Sequence, residues 1–208
     1  MNIASASTHH IEPPENTPAY NEDDTNADIY CLGKNFIPMA ITNRTADEYP
    51  YDFSYTPTQS VPIVSGATAL DHPNGDTYIL VFHESFYYGT KLGHSLINPN
   101  QIQHNGIDSW DNPYGKSKDL CIDIPDGPEI SLQMTGTKLQ FRTQVPTALE
   151  LSTCTHIDMT NSNTWDPSTV SLGEVNSTLT SPRKIFSVQR HVDNLCHNLH
   201  CYTRITLF

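Results

Sequence analysis

Basic residues are scarce in this chain: 11 Lys and Arg stand against 23 Asp and Glu in 208 residues, a formal net charge of -12. A nucleic-acid surface needs clustered Lys and Arg to displace counterions, so no DNA- or RNA-binding face is expected. Long apolar runs are missing too. No stretch approaches the roughly 20 apolar residues of a membrane helix, so no membrane partner is expected. The first residues carry His9, His10, Glu12 and Glu15 in place of a basic flank and an apolar core, which is unlike a secretory signal. Cysteine is sparse and odd in number: Cys31, Cys121, Cys154, Cys196 and Cys201 are scattered. They read as reduced thiols of an intracellular, cytoplasmic protein and not as a disulfide framework. The sequons at Asn43 and Asn176 then carry no glycan. Glycine-rich phosphate loops are absent, since Gly33-Lys34 lacks the preceding glycine of a P-loop. No internal repeat or heptad pattern is found, and no cofactor is implied.

What is present is a β pattern between polar ends. Residues 1–19 are proline-broken (Pro13, Pro14, Pro18) and read as a disordered polar tail. Residues 20–145 read as one β domain. Val61 to Val64 and Thr77 to Phe82 are β-branched or aromatic runs, separated by Asp71 to Asp76 with an Asn74-Gly75 pair able to take positive φ. Ile130, Leu132 and Met134 alternate with polar residues; after Thr135-Gly136, Leu139 and Phe141 do the same, which predicts a hairpin with one buried face. One short helix is expected, with Asn98 as N-cap, Pro99 at the first helical position and Gly106 past the end. Ser, Thr, Asn and Pro dominate from Thr153 to Pro182, and residues 146–208 are expected to form a loop-rich, irregular extension.

Two phrases carry a family likeness. Thr77 to Tyr88, then Leu92-Gly93-His94-Ser95-Leu96-Ile97 and Asn98 to Ile107, form an apolar strand, a turn and a capped helix. Upstream stands Asp24-Thr25-Asn26-Ala27-Asp28, followed by Gly33-Lys34-Asn35-Phe36, and Leu96 lies 72 residues after Asp24. Together these resemble the protease region of copia-type retrotransposon Pol polyproteins. The resemblance implies an all-β, retropepsin-like closed barrel acting as a homodimer on polypeptide substrate. Asp24 of each chain would activate water, Thr25 would brace the paired loops, and Asn26 and Ala27 would complete the turn. A shared-proton carboxylate pair is the chemistry of such a site. The chain departs from the pattern twice. Asn26 stands where the family has Gly, and the approach Ala19 to Asp23 is polar where an apolar strand is expected. The alternative is therefore a non-catalytic β-rich binding or scaffolding domain from the same element. Substrate-binding residues are not assigned.

Other chemistry-bearing residues read as structural. His191, Cys196, His197, His200 and Cys201 crowd the C-terminus, but their order does not match zinc-ligand spacings, and no metal is expected. Cys154 with His156 lacks an oxyanion site. His83-Glu84 and His94 lie in or beside an apolar run and read as satisfied strand-end groups. Tyr49, Tyr51, Phe53 and Tyr55 alternate like the buried face of a strand.

Overall fold

A computed structural model describes residues 19–25, 27–49 and 56–169. Twelve strands and two short helices occupy them. In chain order these are β1 (Ala19–Asp23), β2 (Cys31–Gly33), β3 (Ile37–Glu48), β4 (Thr58–Asp71), β5 (Thr77–Gly89), β6 (Ser95–Ile97) and α1 (Pro99–His104). There follow β7 (Asp108–Trp110), β8 (Cys121–Asp123), β9 (Glu129–Ser131), β10 (Gln133–Thr135), β11 (Lys138–Thr143), α2 (Ala148–Thr153) and β12 (Thr155–Asp158). The protein is mostly β, as its patterning predicts.

Nine strands form one sheet in the order β10-β11-β1-β6-β2-β5-β4-β3, with β12 added to β5; β7, β8 and β9 form a second, antiparallel sheet. The expected closed barrel is not found. The long sheet curls until Ala69 and Gln144 exchange both backbone hydrogen bonds, at 2.8 and 3.0 Å. That contact is an isolated bridge between β4 and the end of β11, and a ladder would be needed to close the sheet.

The β4–β5 hairpin turns at Gly75, whose φ of +93° suits glycine and few other residues. Ala67 to Leu70 of β4 and Ile79 to Phe82 of β5 are buried without a break because both sheet faces are covered there. On one face Tyr30, Leu32, Phe36, Phe82, Ile102 and Met159 belong to the main core. There Phe82 takes Tyr30 and Phe36 edge-on, with ring centroids 5.1 and 5.5 Å away. On the other face Ala67, Ala69, Ile79 and Val81 pack with Leu151 of α2.

The predicted short helix is α1. The Asn98 side chain accepts from the Asn100 N–H, Pro99 opens the helix and Ile102 is fully buried. The hairpin expected around Gly136 forms between β10 and β11, and its buried side holds Leu139 and Phe141. Ile130 and Leu132 are buried as predicted, but β9 pairs with β8, so the upstream arm crosses between sheets, and Met134 is exposed.

Two expectations are corrected. There are two described helices, not one. The extension from 146, expected to be irregular, begins with ordered structure: α2 is closed by a capping box between Thr147 and Glu150, and β12 runs parallel to β5. Of the expected N-terminal tail, residues 1–18 lie outside the described residues, and Ala19 already belongs to β1. Tyr49 is exposed at the end of β3, and residues 50–55 lie outside the described residues.

Gly33 permits a close backbone approach. A Cβ there would stand 2.6 Å from the Leu92 carbonyl oxygen and 3.2 Å from the His94 carbonyl group. Backbone cannot yield as a side-chain tip can, so Gly33→Ala is expected to destabilise the fold by about 1–3 kcal/mol. A lowered urea midpoint at unchanged slope would register it.

Candidate functional site

The site follows from how β1 is held. It runs antiparallel to β11 on one side and parallel to β6 on the other, while β6 pairs antiparallel with β2. Thus β6 threads between two strands joined only by residues 24–30. The link opens in a turn, with the Ala27 N–H donating to the Asp24 carbonyl at 3.3 Å. The Asp24 N–H donates to the Ile97 carbonyl at 3.0 Å, tying the turn to the end of β6. Asp24 and Ala27 are half-buried and Thr25 is exposed; Asn26 lies outside the described residues.

The polar character of β1 has a structural cause. Asn21 is fully buried, and its amide donates to Thr143 Oγ1 at 2.9 Å and to the Phe141 carbonyl at 3.4 Å. Asn35 Nδ2 donates to Asn21 Oδ1 and to Thr143 Oγ1, both at 2.8 Å. Ser95 Oγ donates to Asn35 Oδ1 at 2.7 Å and accepts from the Gly33 N–H at 2.8 Å. Thr68 Oγ1 lies 2.7 Å from Thr143 Oγ1 and 2.8 Å from the Asn35 carbonyl. Asn21, Asn35, Thr68, Ser95 and Thr143 are all buried. One polar network thus joins β1, β4, β6 and β11 to the turn after β2. Such a network is stable only when its members are satisfied, and these fix relative strand positions.

At the end of β1 the electrostatics change. Both Asp23 carboxyl oxygens are buried without a hydrogen-bond partner among the described residues. Burial chiefly, then repulsion from Asp111 and from Asp24, pushes the Asp23 carboxyl up to about 7. The Tyr30 hydroxyl is also buried and unpartnered among the described residues. Burial and the nearby Asp23 carboxyl hold it well above the usual phenol range. The loop end of β1 therefore keeps one carboxyl protonated near neutrality, beside further acidic side chains. That is a capacity for acid–base work.

A strap from the C-terminal side fastens the same loop. Trp165 Nε1 donates to the Asp28 carbonyl at 2.8 Å, and the Trp165 N–H donates to Glu84 Oε2 at 3.2 Å. Glu84 also pairs with Arg44 through both carboxyl oxygens. The Trp165 ring meets His104 of α1 edge-on at 5.4 Å.

Of the residues expected to form the site, Asp24, Thr25 and Ala27 occupy one turn. The clustering of Glu22 and Asp23 with Asp24 as like charges was legible in the sequence, but the burial of Asp23 and the presence of Asp111 and Tyr30 were not. The adjacency of Asp23 to Asp24 was visible, but nothing in the pattern brings in Asp111, 88 residues further on. Cys31, Cys121 and Cys154 form no disulfide, and burial pushes the Cys31 thiol up to about 12. The His and Cys cluster at 191–201 lies outside the described residues. Among the described residues no group of three or more His, Cys, Asp or Glu is placed to hold a metal ion. No helix there is long and apolar enough to cross a membrane. Compared with known proteins, the chain matches no family model, no curated protein and no solved structure.

Proposed function

We propose that the chain is an aspartic endopeptidase region. More particularly, we read it as the protease part of a copia-type retrotransposon polyprotein, working as a homodimer to which each copy gives Asp24. The observation that carries the reading is the contact between the two phrases that resemble that family. The Asp24 turn is hydrogen-bonded to Ile97 at the head of the Asn98-to-Ile107 phrase, across 73 residues of sequence. The buried polar network that holds Asn21 of β1, the strand leading into the turn, fits a loop whose position must be fixed. In the dimer the two Asp24 carboxyls would share a proton, and one would take a proton from water as the other polarises the peptide carbonyl. Substrate would lie extended against strand edges. Thr25, exposed at the turn, is available to brace its counterpart, and Asn26 occupies the position of the family's glycine.

The test is cleavage of a random-peptide pool at about pH 5, where a shared-proton pair works. We expect cleavage by the wild-type chain and a loss of at least about 100-fold in Asp24→Asn. Equal cleavage by both proteins would overturn the assignment of Asp24. A folded dimer in sedimentation with no cleavage would favour the alternative, a non-catalytic scaffold from the same element.

A further inference from the structure

Away from β1, on β4, β5 and β12, three residues from separate strands form a hydrogen-bonded chain. Ser65 Oγ on β4 lies 2.8 Å from His83 Nδ1 on β5, and His83 Nε2 lies 3.3 Å from Asp158 Oδ1 on β12. The ladder is interrupted where they meet. Val64 pairs with Ser85 and Gly66 with Phe82, so Ser65 faces two residues of β5, His83 and Glu84. This is a β-bulge, a device that redirects a side chain and recurs beside active sites. Glu84 takes a φ of +53°, which costs a residue with a side chain of the order of 1 kcal/mol. The Arg44 pair and the Trp165 N–H hold it there. The backbone of His83 is gripped by one hydroxyl, since its N–H donates to Thr160 Oγ1 at 2.8 Å and its carbonyl accepts from Thr160 Oγ1 at 3.2 Å.

Only one arrangement of protons lets this chain activate a nucleophile. Asp158 accepts the Nε2–H, which leaves the Nδ1 lone pair to accept the Ser65 hydroxyl proton. Either imidazole nitrogen can serve as base when the other is held by a carboxylate, and such a constellation is recognised by roles, not by chain order. The His83 side chain is 19% exposed and that of Asp158 42% exposed. Ser65 is half-buried, and the face continues into the apolar cluster of Ala67, Val81 and Met39.

We propose that Ser65 is an activated nucleophile at a second site, independent of the aspartate turn, which accepts the acyl group of small apolar carboxylic esters. Ser65 Oγ attacks the ester carbonyl carbon and forms the new C–O bond as its proton passes to His83 Nδ1. The bond to the alcohol oxygen breaks, and the proton on His83 leaves with that alcohol. Water then attacks the acyl carbon as one of its protons passes to His83 Nδ1; the acyl C–O bond to Ser65 breaks, the carboxylic acid leaves, and His83 returns the proton to Ser65 Oγ. Asp158 is a positioning residue acting through His83.

A fluorophosphonate probe tests this on the full chain. Its P–F bond is replaced by a P–O bond to Ser65, and fluoride leaves. Peptide mass mapping should find the adduct on Ser65, formed at least about 100-fold faster than in urea-unfolded chain. Ser65→Ala should abolish it. Asp158→Asn should slow it at least tenfold with the unfolding midpoint close to wild type, and Asp158→Glu should recover part of the rate. No adduct on the folded chain, an adduct on another residue that persists in Ser65→Ala, or an unchanged rate in Asp158→Asn would each overturn the proposal.

Discussion

Replacing Asn35 with Leu is expected to destabilise the fold by about 3–6 kcal/mol, a large fraction of the roughly 5–15 kcal/mol that holds a domain together. Asn35 supplies two donors, to Asn21 Oδ1 and Thr143 Oγ1, and one acceptor, for Ser95 Oγ. Leucine removes all three bonds and leaves Asn21, Thr143 and Ser95 buried, each short of a partner. An unsatisfied buried polar group costs about 1–3 kcal/mol, far more than an average hydrogen bond contributes. Thr143→Val should behave similarly and non-additively with Asn35→Leu, since both sever one network. Urea unfolding of the two single variants and the double variant measures this. A loss below about 1 kcal/mol for Asn35→Leu would mean that the network is not needed to fix the strands.

Asp23→Asn is expected to do the reverse, and only above mildly acidic pH. Burial chiefly, with Asp111 and Asp24, pushes the folded Asp23 carboxyl up to about 7 from an ordinary value of 3.8. Below about pH 4 both folded and unfolded chains hold the proton, and Asp23 costs nothing. As pH rises from there, the unfolded chain ionises while the folded one does not, so stability falls; above about pH 7 the cost is complete. The shift corresponds to about 4 kcal/mol at most, and about 2 kcal/mol after allowing for partial solvent access. Asparagine carries no charge at any pH. The variant should therefore be more stable than wild type by about 2 kcal/mol at pH 8, with the difference vanishing near pH 4. Thermal melts across that range read the result directly. A constant difference between the two proteins at every pH would show that Asp23 is ionised normally.

How far these features could be read from the sequence depends on their range. Asn98, Pro99 and Gly106 announced α1 because caps are local chemistry, and Gly75 announced the β4–β5 turn for the same reason. The β12 strand was not legible, because Thr155 to Asp158 gains strand structure only from β5, more than 70 residues upstream. The capping box of α2 stood in the sequence as Thr147 and Glu150, but six helical residues are too few to show a period. The polarity of β1 pointed away from a buried strand, since Asn21 is an unfavourable strand residue until Asn35 and Thr143 are placed around it. Closure of the sheet could not be read at all: a single bridge between Ala69 and Gln144 separates a curled sheet from a barrel. Asp24 was found by motif, whereas Asp111, Ser65, His83 and Asp158 have no shared motif. They meet only because distant strands become neighbours.

The position of β12 also sets an order of events during synthesis. Residues Tyr78 to Val81 of β5 present backbone groups that only β12, the last described strand, takes up. A nascent chain must therefore carry that open edge through the translation of a further 70 or so residues, together with the apolar face that Leu151 later covers. An exposed strand edge is a template for pairing with other chains. Nascent chains that have not yet reached Asp158 are where this protein is most exposed to misassembly and where a holding chaperone would matter most.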